Sequence, residues 1–217
     1  MTTHDFTFCD TAMRALPSGA LYLPDHDTLC ISDLHLGKSE RMARRGGALL
    51  PPYENRDTLE RLDQDLNTLN PARVICLGDS FDDDEAELNM PEDIRLWIVR
   101  MIAGRNWIWI TGNHDPGPVS IGGTYLAEVE VAGLTFRHIA QPDASAEISG
   151  HYHPKFRING AGPARAAFVY DDTRMILPAY GTFTGGLNAA SAPLRGLFSG
   201  TPIAVLTGKR AIAVPVT

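Results

Sequence analysis

The sequence predicts an α/β fold in which a sheet-centred sandwich is flanked by helices. Over the first two-thirds of the chain, short apolar segments typical of buried strands alternate with segments whose apolar residues recur every three or four positions, as in helices. From about residue 128 onward, strand-like segments follow one another directly. The pattern is therefore βαβαβ followed by mostly antiparallel strands, and residues 1–217 are expected to form a single domain.

Three apolar segments of the first part are predicted to be buried strands: TLCISD (28–33), RVICLGD (73–79) and NWIWITG (106–112). Two helices are predicted beside them. In residues 54–70, leucines recur at spacings of three and four, and Pro71 ends the helix. A second apolar stripe runs through residues 90–104, with Asn89 as the expected N-cap and Gly104 near the C-terminal end.

The later strands are predicted to form hairpins. Asp171–Asp172 and Gly208–Lys209 are typical of hairpin turns. The last hairpin, residues 202–216, would leave a strand at the edge of a sheet, where unpaired backbone groups can pair with another chain. The sequence thus allows a homodimer formed through this edge.

Composition narrows the class of protein. The formal net charge of −7 disfavours a simple basic nucleic-acid-binding module, but it does not exclude an enzyme acting on phosphates, because bound metal ions would change the local field. Three scattered cysteines without a CxxC motif favour a reducing compartment. The start, MTTHDFTFCD, does not resemble a signal peptide, and no apolar segment is long enough to span a bilayer. We therefore expect a cytoplasmic protein without a membrane partner.

Metal-binding residue types follow five predicted strands. Because ligands of open α/β sheets gather at the carboxyl ends of strands, these side chains are expected to meet. They include five of the seven histidines, and if residues 151–153 are extended, the two histidines of HYH point to the same side. The alternative, that each residue is an ordinary loop residue, would have to hold independently at all five ends. The residues concerned are Asp33, His35, Asp79, Asp82, Asn113, His114, Asp115, His138, His151 and His153.

The ordered motifs DLH, GDSFD, GNHD, a later single histidine and GHYH, within residues 33–153, resemble those of the calcineurin-like metallophosphoesterase superfamily. The resemblance implies a four-layer sandwich of two mixed β-sheets flanked by helices, and a centre of two divalent metal ions. It assigns one ion to Asp33, His35, Asp79 and His153, and the other to Asp79, Asn113, His138 and His151. Carboxylate, imidazole and amide ligands suit Mn, Fe, Zn or Co, and the resemblance favours Mn.

Two further segments narrow the resemblance. LHLGKSERMARRGGALLPPYENRDTLERL (34–62) and LPAYGTFTGGLN (177–188) are similar to the bacterial ligase-associated DNA damage response endonucleases of the PdeM family. This similarity implies a metal-dependent phosphodiesterase that cuts DNA, single-stranded or flexible, in repair alongside an ATP-dependent ligase and a helicase. For the glycine-rich residues 181–188 we favour a structural role over a chemical one.

Phosphoester hydrolysis needs a nucleophile, neutralised phosphate charge and a protonated leaving oxygen. Two metal ions would supply the first two through a bridging hydroxide. The resemblance makes His114 the general acid, and Asp115 would orient it and raise its pKa. The alternative for Asp115 is a cap of the turn before Pro116. Asp82 is predicted to hold a metal-binding histidine or a water, within an otherwise solvated acidic loop at 82–87.

Several cations adjoin these motifs and are predicted to contact a phosphate backbone. The alternative is that they are ordinary solvated charges. Backbone contact would mean a polynucleotide bound without sequence preference. The cations are Lys38, Arg41, Arg44, Arg45, Arg137 and Lys155.

Two other functions compete with DNA cleavage. One is hydrolysis of small nucleotides or pyrophosphates, which a weak salt dependence would favour. The other is a non-catalytic scaffold, as in the retromer subunit of this superfamily. Loss of ligands or of the acid would favour the scaffold, and this sequence keeps both.

Overall fold

Two mixed β-sheets stacked face to face form the centre of the protein. The structure, a computed structural model, describes residues 2–47, 49–115, 117, 120–158, 160 and 162–216; Pro116, named above, lies outside them. The two sheets and the helices on their outer faces confirm the predicted α/β sandwich.

The first sheet has seven strands in the order of the chain. Neighbouring strands pair antiparallel from the first to the fourth strand and parallel from the fourth to the seventh. The strands are β1 (His4–Phe8), β2 (Thr11–Ala15), β3 (Leu21–Leu23), β4 (Thr28–Ile31), β5 (Arg73–Cys76), β6 (Asn106–Ile110) and β7 (Thr124–Leu126).

The second sheet has eight strands: β8 (Glu128–Val131), β9 (Leu134–Arg137), β10 (Glu147–Ser149), β11 (Lys155–Phe156), β12 (Arg165–Tyr170), β13 (Arg174–Ile176), β14 (Ile203–Leu206) and β15 (Ile212–Pro215). Their spatial order is β15-β14-β12-β13-β10-β9-β8, with β11 paired to β12. β10 runs parallel to both β9 and β13. The predicted hairpins β12–β13 and β14–β15 are present, and β15 is an edge strand within the described residues.

The helices are α1 (Lys38–Arg44), α2 (Glu54–Leu69), α3 (Asp84–Leu88), α4 (Glu92–Ile102) and α5 (Ala192–Arg195). The leucine stripe of α2 and the isoleucines of α4 pack on the outer face of the first sheet. α5 lies in a third apolar cluster with residues of β12 and β14, so it covers part of the outer face of the second sheet. None of the described helices has the length and apolar composition of a membrane span.

The buried strands alternate between two apolar clusters. In β5 and the residue after it, Val74 and Cys76 face the helices, whereas Ile75 and Leu77 lie between the sheets. This alternation follows from the two-residue repeat of a strand. Because both faces of the strand are covered, the sequence contains an unbroken apolar run at this position.

The predicted cap of the second helix is wrong. Asn89 ends the short helix α3 instead, and α4 begins after Pro91, whose extended backbone (φ −54°, ψ 138°) separates the two. The acidic segment 82–87 is therefore partly helical, and the Asp83 side chain caps α3 by accepting the N–H of Ala86 at 3.0 Å.

Candidate metal centre

The loops after β4, β5, β6, β9 and β10 converge at one edge of the sandwich. Backbone hydrogen bonds join them: the N–H of His35 donates to the carbonyl of Asp79 at 2.9 Å, and the N–H of Gly150 donates to the carbonyl of His138 at 2.9 Å. The structure thereby brings the seven predicted metal ligands into one cluster. Asp33, His35, Asp79 and His138 are buried in it, His151 and His153 are partly exposed, and Asn113 is exposed.

Five of the seven residues have a left-handed backbone. Their φ angles are 53° for Asp33, 47° for His35, 46° for Asp79, 70° for His151 and 46° for His153. Non-glycine residues rarely adopt this conformation, and such strain clusters at functional sites.

The expected extended geometry of HYH is wrong, because β10 ends at Ser149 and the two histidines lie in the loop beyond it. His153 approaches Asp33, with 3.1 Å between Nε2 and Oδ1, whereas Nδ1 of His151 lies 3.3 Å from Nε2 of His138. The two histidines therefore belong to different parts of the cluster.

The first group comprises Asp33, His35 and His153, whose ligand atoms all lie within 4.8 Å of one another. Nε2 of His35 is 3.3 Å from Nε2 of His153 and 4.0 Å from Oδ2 of Asp79. Asp33 is held in place because its carboxylate accepts the N–H of His151 at 3.0 Å.

The second group comprises Asp79, His138 and His151, again within 4.8 Å. Nε2 of His138 lies 3.4 Å from Oδ1 of Asp79 and 3.0 Å from Oδ1 of Asn113. Asp79 thus lies within reach of both groups, which is the position expected of a bridging ligand.

The donor set fits bound cations. Nδ1 of His138 donates to the carbonyl of Leu77 at 2.8 Å, so Nε2 of the neutral ring carries a lone pair, yet it faces the oxygens of Asp79 and Asn113. The same argument applies to His35, whose Nδ1 contacts Asp82 and whose Nε2 faces another imidazole. Lone pairs that converge in this way are stabilised by a shared cation.

The electrostatics of the cluster favour anionic carboxylates. Burial raises the pKa of Asp79, but the hydrogen bond and positive charge that His138 provides when its ring is protonated, with the backbone N–H of His114 at 2.9 Å, outweigh it and hold the pKa well below its usual value. The pKa of Asp33 is also lowered, because contacts with His153 and His138 outweigh burial. Deprotonated carboxylates are the form that binds metal ions.

A family model described as calcineurin-like phosphoesterase matches residues 26–176, a range that contains every residue of this cluster. The chain belongs to this family. It is therefore a metal-dependent phosphoesterase, and the fold implies divalent metal ions at the cluster. No curated protein matches at a significant level.

A solved structure is similar over the whole length of this phosphoesterase. It is the crystal structure of the Pseudomonas putida nuclease MPE, which shares 25% sequence identity and superimposes with a TM-score of 0.78. The alignment covers 99% of this chain and 100% of the other. The similarity therefore extends beyond the motifs, to the N-terminal strands and the C-terminal hairpin.

Close backbone approach explains two glycines of the phosphoesterase motifs. A Cβ on Gly150 would lie 1.8 Å from Oγ of Ser32 and 2.6 Å from Oδ2 of Asp33. A Cβ on Gly112 would lie 2.2 Å from the backbone nitrogen of Asp79. Any larger residue at either position would displace a ligand.

Asp82 holds two histidines of the metal centre, His35 and His114, by hydrogen bonds. Its Oδ1 accepts from Nδ1 of His35 at 2.8 Å, and its Oδ2 accepts from Nε of Arg41. Its carbonyl accepts from Nδ1 of His114 at 2.8 Å. The histidine-holding contact expected for Asp82 is therefore present, and the same residue also orients His114.

Asp115 has a different environment from the one expected. Its carboxylate accepts the backbone N–H groups of Asp79 at 3.0 Å, Ser80 at 2.8 Å and Phe81 at 3.2 Å. Burial raises its pKa to about 6, although the N–H groups of Phe81 and Ser80 oppose this. The expectation that Asp115 orients the His114 ring is corrected: Asp115 holds the 79–81 loop, and the carbonyl of Asp82 contacts the ring.

We expect Asp115→Ala to lower the free energy of unfolding by about 2–4 kcal/mol, because three buried N–H groups lose their acceptor. Urea unfolding measures the change. Asp115→Asn, which keeps one acceptor oxygen, is expected to cost less. Unchanged stability in Asp115→Ala, with a selective loss of hydrolysis of esters with poor leaving groups, would restore the orienting role.

The six predicted substrate cations differ in how they are paired. Arg137 is largely buried between Glu128 at 2.9 Å and Glu147 at 3.3 Å, and these two ion pairs weigh against its predicted contact with phosphate. Arg44 is likewise neutralised, by Glu40, Asp83 and Glu85 at 3.0, 3.0 and 2.6 Å.

Among the described residues, each of the other four cations has at most one acidic partner. Arg41 binds Asp82, and the ammonium of Lys38 is 4.0 Å from the same carboxylate. Arg45 is 61% exposed and approaches Asp83 at 3.4 Å. The ammonium of Lys155, two residues after His153, donates to the carbonyl of Thr184 at 3.0 Å. Substrate contact by these residues stays a prediction.

Two contacts that support the metal centre were not predicted from the sequence. The carbonyl of Leu77 fixes the His138 ring, and a carbonyl contributes no side-chain signal. The segment 177–188 packs on the ligand loop: the N–H groups of Tyr180 and Gly181 donate to the carbonyls of Ser32 at 2.7 Å and Asp33 at 3.1 Å. These contacts support the structural role favoured for this segment.

Proposed function

We propose that this phosphoesterase is a DNA endonuclease that hydrolyses phosphodiester bonds at the candidate metal centre. The observation that carries the proposal is the cluster of two carboxylates, four imidazoles and one amide around Asp79. The full-length similarity to a bacterial nuclease supports a nucleic acid substrate. The resemblance of residues 34–62 and 177–188 supports DNA as that substrate.

The cluster would hold two divalent ions, with Asp79 between them. Asp33, His35 and His153 would complete one site, and Asn113, His138 and His151 the other. We favour Mn over Fe, Zn and Co on the family resemblance. When bound, such ions neutralise phosphate charge and supply a hydroxide nucleophile at neutral pH.

His114 is the proposed general acid. A ring nitrogen of His114 lies within 4.8 Å of ligand atoms of His35 and Asp79, which supports a position of the ring beside a phosphate bound at the centre. Because Nδ1 donates to the carbonyl of Asp82, the protonated ring has one further proton, on Nε2. That proton passes to the leaving oxygen, and the neutral ring keeps its hydrogen bond to Asp82.

The proposed setting is cytoplasmic DNA repair, in which the enzyme acts on single-stranded or flexible DNA alongside an ATP-dependent ligase and a helicase. The family resemblance supports this setting. The three cysteines are free, which suits a reducing compartment.

Cleavage of closed circular single-stranded DNA tests the endonuclease proposal. We expect added Mn²⁺ to support linearisation of the circle and a chelator to stop it, because an exonuclease needs an end that the circle lacks. An Asp79→Ala preparation purified in parallel controls for contaminating nucleases. An intact circle, with a small nitrophenyl phosphodiester still hydrolysed, would support small nucleotides as substrates instead.

Salt dependence provides a second test of a polymeric substrate. The log of the apparent affinity for single-stranded DNA is expected to fall with log salt by about 0.7 for each phosphate contacted. KM for the nitrophenyl diester, which has a single phosphate, should change far less. Equal dependence for the two substrates would contradict backbone binding.

A further inference from the structure

An aromatic pair, Tyr53 and Phe183, lies beside the loops of the metal centre and outside the ligand set. The two ring centroids are 5.4 Å apart, and the ring planes are tilted by 59°. Tyr53 is 52% exposed and Phe183 is partly exposed. Neither ring belongs to the three apolar clusters found in the described residues. The pair therefore presents aromatic surface to solvent instead of filling a core.

Tyr53 is tied to the segment that carries His35. It immediately precedes α2, and two residues later the side-chain oxygen of Asn55 accepts the N–H of Gly37 at 2.8 Å. Because consecutive Cα atoms are about 3.8 Å apart, the Cα of Tyr53 lies within about 8 Å of the Cα of Asn55. The contact with Gly37, two residues after the predicted ligand His35, thus fixes the chain that carries the Tyr53 ring.

Phe183 is tied to the same segment from the other side. Gly181, two residues before it, donates to the carbonyl of Asp33 at 3.1 Å. A Cβ on Gly181 would lie 2.0 Å from the carbonyl oxygen of Leu34, so the segment around Gly181 is in direct contact with the loop that follows β4. Both rings are therefore anchored on the stretch that begins at Asp33.

The backbone of Phe183 is strained. Its φ angle is +61°, a conformation that L-residues rarely adopt. Hydrogen bonds on both sides hold it: the N–H of Thr182 donates to Oγ1 of Thr58 at 3.0 Å, and Oγ1 of Thr184 donates to the carbonyl of Gly181 at 3.1 Å. Strain of this kind persists at ligand sites, where it fixes the direction of a side chain.

A cation adjoins the pair. The ammonium of Lys155 donates to the carbonyl of Thr184, the residue after Phe183. Lys155 also lies two residues after His153, so one short segment carries both a predicted metal ligand and this cation. Aromatic surface beside a cation suits a nucleotide, whose base stacks and whose phosphate is anionic.

We infer that Tyr53 and Phe183 form a stacking platform for an unpaired base of the DNA strand that is cut. The inference rests on the proposed function and deepens it, because it assigns the contact with an unpaired base of the substrate to these two rings. A base within a duplex has both faces covered and must leave the stack before it contacts a protein ring. Stacking accepts every base, so the platform gives no sequence preference.

Binding of a short oligothymidylate in chelator, measured by fluorescence anisotropy, tests the platform without catalysis. The second probe is the same oligomer with abasic residues, which keeps the phosphates and removes the bases. We expect Tyr53→Ala and Phe183→Ala each to weaken binding of oligothymidylate by about tenfold or more. The abasic oligomer should be affected much less. Tyr53→Phe should retain the affinity, and Leu96→Ala, which removes a 56% exposed apolar side chain from α4, is the matched control.

Equal weakening of both probes would overturn the platform, because the rings would then act through loop structure or phosphate position. Affinity unchanged from the wild type, or from Leu96→Ala, would also overturn it. The ratio of circle cleavage to nitrophenyl diester hydrolysis should fall in the two alanine variants. Wild-type protein that neither binds nor cuts DNA would defeat the proposed function itself, whereas normal cutting with unaffected variants would defeat only the platform.

Discussion

Asp79→Ala is expected to abolish metal binding and hydrolysis together. Asp79 is within reach of both histidine groups, with 3.4 Å to His138 and 4.0 Å to His35. Without its carboxylate, neither of the two proposed ions would keep a complete ligand set, and the negative charge that would hold them close together would be lost. We expect a loss of about a thousandfold or more in hydrolysis of every phosphoester, because the nucleophile and the charge neutralisation both depend on the ions.

Calorimetric titration with Mn²⁺ and a diester assay measure the two effects on the same preparation. Asp25→Ala, which removes an exposed aspartate from the turn before β4, is the matched control for the loss of one negative charge. Circular dichroism verifies that the Asp79 variant is folded. Retained activity, or retained binding of two ions, would contradict the bridging position of Asp79.

His114→Ala is expected to separate metal binding from catalysis. His114 is not required by either ligand group, so the metal titration should match that of the wild type. Hydrolysis of DNA, which has a poor leaving group, should fall by about 10²–10⁴-fold because the leaving oxygen is no longer protonated. Hydrolysis of a nitrophenyl diester, whose leaving group needs little protonation, should fall much less.

The ratio of the two rates is the informative quantity. An equal loss on both substrates would argue against the acid role. It would instead indicate that His114 holds the loop after β6, since its backbone N–H donates to the Asp79 carboxylate at 2.9 Å. Asp82→Asn supplies a comparison, because it changes the side chain that contacts His35 and retains the carbonyl that contacts His114.

The strand ends of the parallel β-structure could be predicted from the sequence. β4, β5 and β6 are buried on both faces, so each is an apolar run that stops at Asp33, Asp79 and Asn113 or just before them. The antiparallel strands β1, β2 and β3 were not predicted. β1 and β2 carry polar residues at partly exposed or exposed positions, and β3 spans only three residues, so the apolar signal is weak.

Residue roles that depend on tertiary contacts were harder to predict. Arg137 adjoins His138 in sequence, yet at the end of β9 it is turned toward Glu128 on β8 and Glu147 on β10. Asp115 adjoins His114, yet it accepts backbone groups from another loop. Adjacency in sequence predicts a shared location, but the direction of a side chain depends on the neighbouring strands.

The position of Mn²⁺ in a crystal, located by anomalous scattering, tests the central claim most directly. The account predicts two peaks about 3.5–4 Å apart, both in contact with Asp79. One should lie against Asp33, His35 and His153, and the other against Asn113, His138 and His151. A single peak at saturating Mn²⁺, or two peaks without a shared Asp79, would contradict it.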